Sequence, residues 1–203
     1  MLTTEGDETF KFTDEGSKDK YLGVDIAQVD KNSFEMSQPF LIDRIVKLLG
    51  LENAKHNEKF TPVGKPLLNK DPDGVERKYS WNYRGAIGML TYLTGSVRPD
   101  IAMAVHQCAR FSSNPKRSHE QAVMRIGKYL LATKNRGIVY APDRMKGLDV
   151  YVDADFAGGW DPMDANDASN VYSRTGFVIR YAGCPILWQS KLQTEIALST
   201  AEA

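Results

Sequence analysis

The chain has few of the residues on which disulfide-linked and zinc-binding proteins depend. Its 203 residues include two cysteines and three histidines. Cys108 and Cys184 lie far apart, and the histidines are equally scattered, so neither a disulfide framework nor a zinc site is expected. No apolar run approaches the ~20 residues of a membrane-spanning helix, and the N-terminus lacks a signal-peptide pattern. We therefore expect an intracellular protein, in the cytoplasm or the nucleus, that makes no membrane contact.

The chain also lacks a net charge, because 26 Lys and Arg residues balance 26 Asp and Glu residues. The charges are unevenly distributed. Acidic residues dominate at 1–30 and 143–167, whereas the segment 110–136 contains seven basic residues and a single acid, Glu120. Such a segment is either a solvated helix face or a surface for a polyanion such as a nucleic acid, and composition leaves both interpretations open.

Periodic patterns predict strands near both ends of the chain and helices between them. Residues 21–27 and 33–37 alternate apolar and polar side chains around a turn at 30–32, which predicts a β-hairpin. Gly23, inside the first strand, indicates a β-bulge or the close approach of another backbone. Helical spacing predicts helices at about 39–49, 83–93, 99–111 and 118–133. The segment 52–78 is rich in Pro, Gly, Lys and Asp and is predicted to be an extended loop.

The last predicted helix has a start signal, with Ser118 as its N-cap and Gln121 three residues later. Beyond residue 137 the pattern becomes strand-like. Strands are predicted at 137–140, 148–153, 175–181 and 185–188, and the last two form a second hairpin. The segment 158–170, between the strands predicted at 148–153 and 175–181, is a polar loop.

Short motifs in a fixed order give the chain a family resemblance. They are Tyr21-Leu-Gly-Val, Arg98-Pro-Asp-Ile, Tyr151-x-Asp-Ala-Asp-Phe, Ser173-Arg-Thr-Gly, Trp188-x-Ser-Lys and Ala197-Leu-Ser-Thr-Ala-Glu. In this order the motifs resemble the polymerase region of Ty1/copia-type retrotransposon polyproteins. The resemblance implies an α+β fold in three parts. Residues 1–38 would be the C-terminal palm hairpin of a reverse transcriptase and 39–140 a helical thumb and connection. Residues 141–203 would be the first three antiparallel strands of a truncated ribonuclease H-like α/β domain.

The resemblance also implies a nucleic-acid partner, either an RNA–DNA hybrid or a template-primer duplex. By analogy Tyr21, Leu22 and Gly23 would lie near the primer backbone, where a side chain at Gly23 would crowd the phosphates. The alternative is a plain hairpin with a bulge glycine. Within the basic segment, the cations expected to contact phosphate are Lys116, Arg117, Arg125 and Lys128. The flanking segments of the polyprotein are the other expected partners.

The chemistry of the family requires Mg²⁺ ions held by clustered carboxylates. Asp153 matches the first-strand aspartate of the family's ribonuclease H and is the expected residual catalytic residue and metal ligand. No Asp-Asp pair of the polymerase type occurs in the 203 residues. Glu202 is turned by ~200° from the position of the family's next ligand, two residues later, so we expect an acid at a helix start. The chain is therefore expected to be a catalytically incomplete fragment.

Two other functions stay open: a non-catalytic nucleic-acid-binding module, and a decayed element with no biochemical role. Salt-sensitive duplex binding would favour the module. The three ribonuclease H strands are expected to expose an apolar sheet face that includes Val150, Phe177 and Ile179 or their opposite-face neighbours. The segment from residue 141 onward is accordingly predicted to be poorly ordered or aggregation-prone in isolation.

Overall fold

A four-stranded antiparallel sheet begins the fold. The computed structural model describes residues 19–54, 61–64, 68–160 and 170–202. The sheet consists of β1 (Lys20–Tyr21), β2 (Val24–Asp30), β3 (Ser33–Ser37) and β4 (Ile138–Tyr140), in that order. Pairing of β3 with β4 joins two segments that are about a hundred residues apart in the sequence. Residues 1–18 of the predicted palm segment, and most of the predicted 158–170 loop, lie outside the described residues.

The predicted first hairpin is confirmed as β2–β3, but its first strand runs from Val24 to Asp30, three residues later than the predicted 21–27. A two-residue turn at Leu22 and Gly23 separates β1 from β2, and Tyr21 pairs with Val24 across it. Both turn residues have positive φ, 49° at Leu22 and 77° at Gly23. Gly23 is therefore not a bulge residue. It is the second residue of a tight turn, where glycine adopts the left-handed conformation without a Cβ clash.

All four predicted helices are confirmed. They are α1 (Pro39–Leu48), α2 (Tyr83–Ser96), α3 (Ala102–Ala109), which follows a 3₁₀ turn at Pro99–Ile101, and α4 (Arg117–Ala132). Pro39 occupies the first turn of α1, where its missing N–H costs nothing. Gly50, with φ 66°, follows the end of α1 as a left-handed glycine. No helix or strand occurs in the described residues of 52–78, as predicted.

The predicted start of α4 is wrong by two residues. Lys116 is the N-cap, and its backbone N–H donates to Nδ1 of His119 at 2.8 Å. The hydroxyl of Ser118 instead donates to a carboxylate oxygen of Asp71 at 2.6 Å. A histidine ring in the third helical position supplies the acceptor that the Ser-x-x-Gln pattern was expected to supply.

The four helices and one face of the first sheet share a hydrophobic core. Val24 of β2 is buried in it, and Ile26 and Met36 pack against it. Its fully buried members include Ile42, Ile45, Leu90, Leu93, Val97, Ile101, Val123, Ile126 and Leu130. The predicted palm hairpin and the predicted thumb helices therefore pack on each other, while the boundary between them stays a prediction.

The second sheet consists of three antiparallel strands, β5 (Leu148–Asp155), β6 (Arg174–Tyr181) and β7 (Cys184–Leu192), in that order. The second predicted hairpin is thus confirmed as β6–β7. One face, which includes Trp188, is turned toward α2 and α3. On the other face Val150 is 56% exposed, and Phe177 is half-buried. None of the helices in the described ranges has the length and apolarity that a bilayer-crossing helix needs.

Candidate nucleic-acid interface

The turn between β1 and β2 is exposed and is held from behind by two helices. Tyr21 is 59% exposed and Leu22 is 71% exposed. The hydroxyl of Tyr92, on α2, donates to the carbonyl oxygen of Leu22 at 2.6 Å. Nε2 of Gln38, at the start of α1, donates to the carbonyl oxygen of Gly23 at 3.4 Å. Left-handed Leu22 costs about 1–2 kcal/mol, which these contacts help to offset.

Glycine at position 23 is explained by the backbone of the protein alone. Its φ of 77° is unfavourable for any residue with a Cβ. A methyl group built there would meet no atom of the described residues within 4 Å, so these residues leave this side of the turn open. The prediction that phosphate crowding selects glycine here stays a prediction.

Lys116 does not present a free cation at the surface. Only 8% of the residue is exposed, and its ammonium group pairs with the Glu76 carboxylate. The pair joins the start of α4 to the loop that precedes α2. A phosphate would have to displace the Glu76 carboxylate from Lys116, and the predicted phosphate contact of this lysine stays a prediction.

Arg117 is partly engaged within the protein. Its guanidinium lies 3.3 Å from Oε2 of Glu120 and over the ring of Tyr79 at 5.8 Å. Glu120 is 1% exposed and also accepts the backbone N–H groups of Lys78 and Tyr79, at 3.0 and 2.9 Å. The predicted basic surface thus contains a buried acid that fixes a neighbouring loop.

Arg125 and Lys128 are the predicted cations that remain at the surface. Nε of Arg125 donates to the carbonyl oxygen of Thr61 at 3.1 Å, and Lys128 is exposed. Together with Arg117 they border a cleft of about 580 Å³ between α4, α3 and residues near Thr61. In the described part of the chain no hydrogen bond joins them to the Leu22–Gly23 turn, which is backed by α1 and α2. Among the described residues, Arg117, Arg125 and Lys128 line this cleft and the turn residues Leu22 and Gly23 do not.

Asp153 lies on the exposed edge strand β5, opposite Gly176 of β6. It lines a cleft of about 330 Å³ that it shares with Asp100. Burial acts to raise the pKa of the Asp100 carboxyl, but the hydrogen bonds from Arg98 and Tyr129 and the charge of Arg98 outweigh burial, so the pKa of Asp100 is lowered. Within the described ranges no three His, Cys, Asp or Glu side chains lie close enough to bind a metal. The described residues around Asp153 do not by themselves fit a two-metal site.

Glu202 makes a local contact near the end of the chain. One of its carboxylate oxygens accepts the backbone N–H of Leu198 at 2.8 Å. The described residues 193–202 form turns and bends, so the expected role of Glu202 as an acid at a helix start stays a prediction. Glu202 and Asp153 are not joined in a cluster in the described residues.

Sequence reasoning missed the polar contacts between the second sheet and the helices. Arg174 of β6 is 7% exposed, and Nη1 lies 3.2 Å from Nδ1 of His106 on α3. Burial, together with the charges of Arg174, Arg110 and Lys191, lowers the pKa of His106 to about 4. Trp188 donates its indole N–H to the carbonyl oxygen of Thr94 at 2.7 Å. These pairs are 68 and 94 residues apart, and no local pattern predicts them.

Comparison with known proteins gives a consistent set of relatives. The chain is 35% identical, over 96% of its length, to the retrovirus-related Pol polyprotein from transposon TNT 1-94 of Nicotiana tabacum. It is 29% identical over 90% of its length to the corresponding polyprotein from transposon RE1 of Arabidopsis thaliana. The chain spans only 14% and 12%, respectively, of these two relatives.

A third relative is named as an effector protein and not as a Pol polyprotein. Secreted RxLR effector protein 161 of Plasmopara viticola is 34% identical over 59% of the chain, which covers 79% of that protein. No protein-family model matches the chain, and no solved structure matches it.

Proposed function

The chain belongs to the retrovirus-related Pol polyproteins of copia-type transposons, and we propose that it is a segment of an RNA-directed DNA polymerase and ribonuclease H that holds the template-primer duplex. The observation that carries this proposal is the similarity to such polyproteins over 96% and 90% of the chain. Because the chain spans a small share of those relatives, the rest of the polyprotein would contribute the other parts of the reaction.

Two surfaces of the segment are suited to a sugar-phosphate backbone. The Leu22–Gly23 turn is exposed, no atom of the described residues lies within 4 Å of a methyl group built at Gly23, and the Tyr92 hydroxyl donates to the Leu22 carbonyl oxygen. Arg125 and Lys128 of α4 offer cations at the surface, as duplex binding through phosphate contacts requires. In this proposal the turn contacts the primer strand and α4 contacts the duplex.

Binding without catalysis is the behaviour that we propose for the 203-residue chain by itself. The family chemistry needs several carboxylates around two divalent ions. The sequence holds no Asp-Asp pair, and Asp153 has no clustered carboxylate partner among the described residues. Asp153 would then be one ligand of a ribonuclease H site that needs further ligands from elsewhere.

The test is equilibrium binding of the purified chain to a fluorescently labelled RNA–DNA hybrid across a range of salt concentrations. We expect binding at low salt and a linear fall of log affinity with log salt, because cations on the protein displace counterions from phosphates. Absence of binding at low salt would contradict the proposal and favour a decayed element.

A parallel assay follows hybrid cleavage and primer extension with Mg²⁺, and neither is expected. Hybrid cleavage that is lost in Asp153→Asn would contradict the proposed catalytic incompleteness. Duplex binding and catalysis are thereby tested by separate measurements.

A further inference from the structure

Strand β5 is an edge strand, and the backbone groups on its outer side point away from β6. The carbonyl oxygen of Gly147 accepts the N–H of Ala182 at 3.0 Å, so this oxygen points toward β6. The C=O and N–H of a trans peptide point in opposite directions, so the N–H of Leu148 points away from β6. Alternation along the strand repeats the outward direction at Val150 and Val152. Among the described strands none pairs with β5 on this side.

The other long edge strand of this sheet, β7, is protected in a way that β5 is not. It contains Pro185 and Lys191, residue types that hinder pairing at an edge, and it packs against α3. The eight residues of β5 include neither proline nor lysine. Its outward residues Leu148, Val150 and Val152 are 64%, 56% and 68% exposed. Such an edge is a template on which another strand can pair.

The aspartates of β5 restrict which strand can pair with it. Asp149, Asp153 and Asp155 alternate with the apolar residues and lie on the opposite face of the sheet. Like charges placed directly opposite each other on paired strands are destabilising. A partner strand must therefore leave the positions opposite these three carboxylates free of acids.

A second copy of β5 meets this requirement in one antiparallel register. With Val150 opposite Val150 of the copy, Leu148 lies opposite Val152 and Asp149 lies opposite Tyr151. Asp153 and Asp155 then face residues 147 and 145, which are Gly and Met. Centring the pair on any other residue of 149–155 places aspartate opposite aspartate, and centring it on residue 148 leaves almost no overlap of the strands.

The same register also satisfies the backbone and the apolar side chains. The outward residues of one copy meet outward residues of the other, so each of these pairs can exchange two backbone hydrogen bonds. The two Val150 side chains lie side by side, and each Leu148 lies beside a Val152, all on the exposed face. Charge, hydrogen bonding and apolar contact therefore favour one arrangement.

We propose that two copies of this chain associate through their β5 strands, with Val150 on the two-fold axis and the two three-stranded sheets joined into one. The contact is isologous and closed, so association stops at the dimer. Only residues 148–152 of each strand pair, which makes a small interface and a weak, concentration-dependent dimer. This association does not depend on nucleic-acid binding.

Sedimentation velocity of the purified 203-residue chain, from about 10 μM to about 1 mM, tests the dimer. We expect the wild type to shift reversibly from monomer to dimer over this range. Val150→Lys places two ammonium groups opposite each other and should weaken dimerisation at least about tenfold. Val139→Lys is the matched control, because Val139 is 53% exposed on β4, an edge strand of the other sheet, and it should dimerise like the wild type. Circular dichroism of both variants should match the wild type.

The register is tested by cysteine cross-linking with diamide, which takes up the two thiol hydrogens as the disulfide forms. Native Cys108 and Cys184 are buried. In Val150→Cys the two Cα atoms would be about 5.5 Å apart, within the range of a disulfide. In Val152→Cys the equivalent Cα atoms would be about 13 Å apart, because residue 152 faces residue 148. We expect Val150→Cys to form covalent dimers at least about tenfold faster than Val152→Cys.

Three results would overturn this inference. The first is a wild-type chain that stays monomeric at about 1 mM. The second is a dimer that persists unweakened in Val150→Lys, or cross-linking of Val152→Cys as fast as that of Val150→Cys. The third is growth beyond the dimer, since closed pairing of two edges leaves no further β5 edge available.

Discussion

At the residue scale, Glu120 shows how a buried charge can organise a loop. Its two carboxylate oxygens accept the backbone N–H groups of Lys78 and Tyr79, and the guanidinium of Arg77 lies 3.5 Å away. Since Arg117 lies on the other side, the carboxylate is balanced by two cations. The loop before α2 is thereby fixed to α4, although the two segments are about 40 residues apart in the sequence.

Replacement of Glu120 by Gln should lower the free energy of unfolding by about 2–4 kcal/mol. The amide has one acceptor oxygen for two N–H groups, and both neighbouring arginines lose their counter-charge. Chemical denaturation followed by circular dichroism measures the change. Glu52→Gln, at an exposed position, is the control and should change stability by less than about 0.5 kcal/mol. Equal stabilities of the two variants would contradict this role of Glu120.

His106 predicts a pH dependence of stability. Its pKa falls from 6.5 to about 4 in the folded protein, with burial as the main cause. Between these values the unfolded chain binds a proton that the folded protein does not, so stability rises with pH through this window. The contribution is complete above about pH 6.5 and is lost as pH falls toward 4.

The expected size of this contribution is about 1–2 kcal/mol, allowing for the partial exposure of the ring. Unfolding measured from pH 4 to 7 should give a flatter profile for His106→Gln than for the wild type. His119, whose pKa is also lowered by burial, is present in both proteins and cancels in the difference. Identical slopes would show that the His106 environment does not favour the neutral ring.

At the scale of elements, α4 has one side that packs into the core and another side that carries cations. Its apolar side packs Val123, Ile126 and Leu130 into the core, while Arg125 and Lys128 remain outside it. Because the core contacts fix the helix, cations on its outer side are presented at a constant spacing. This is the arrangement that salt-dependent duplex binding needs.

The double change Arg125→Gln and Lys128→Gln should weaken hybrid binding and reduce the salt slope by about 1–2, since each lost phosphate contact removes about 0.9. Fluorescence anisotropy at several salt concentrations measures both quantities. Lys47→Gln, in the exposed last turn of α1, removes a positive charge away from this surface and serves as control. A slope that changes equally in control and test variants would indicate a nonspecific effect of net charge.

The elements of the fold could largely be predicted from sequence, because amphipathic spacing and turn residues are local signals. The helices α1 to α4 and both hairpins are examples. The Leu22–Gly23 turn could not, because leucine gives no turn signal and the Tyr92 hydroxyl that contacts it is 70 residues away in the sequence. The burial of Lys116 was missed for the same reason, since its partner Glu76 lies 40 residues upstream.

At the scale of the whole molecule, α2 connects the two candidate regions. Tyr92 holds the turn of the first sheet, and two residues later the carbonyl of Thr94 accepts the Trp188 indole N–H of the second sheet. Arg98 donates its backbone N–H to Leu93 and not to Thr94, so this carbonyl is one of the unpaired groups at the helix end. The second sheet, which carries Asp153, is therefore docked on the helix that positions the turn.

Trp188→Phe should loosen this docking without unfolding the helical core. The phenyl ring keeps most of the apolar contact, but the Thr94 carbonyl loses its hydrogen-bond donor. This loss costs about 1 kcal/mol, which raises the population of the state with the second sheet undocked about fivefold. Limited proteolysis should then cleave residues 141–192 several times faster than in the wild type, while the segment of α1 to α4 stays protected. Trp160→Phe, with Trp160 57% exposed, is the matched control and should be cleaved at the wild-type rate. Unchanged cleavage in Trp188→Phe would mean that Arg174 and the remaining contacts hold the sheet without the indole bond.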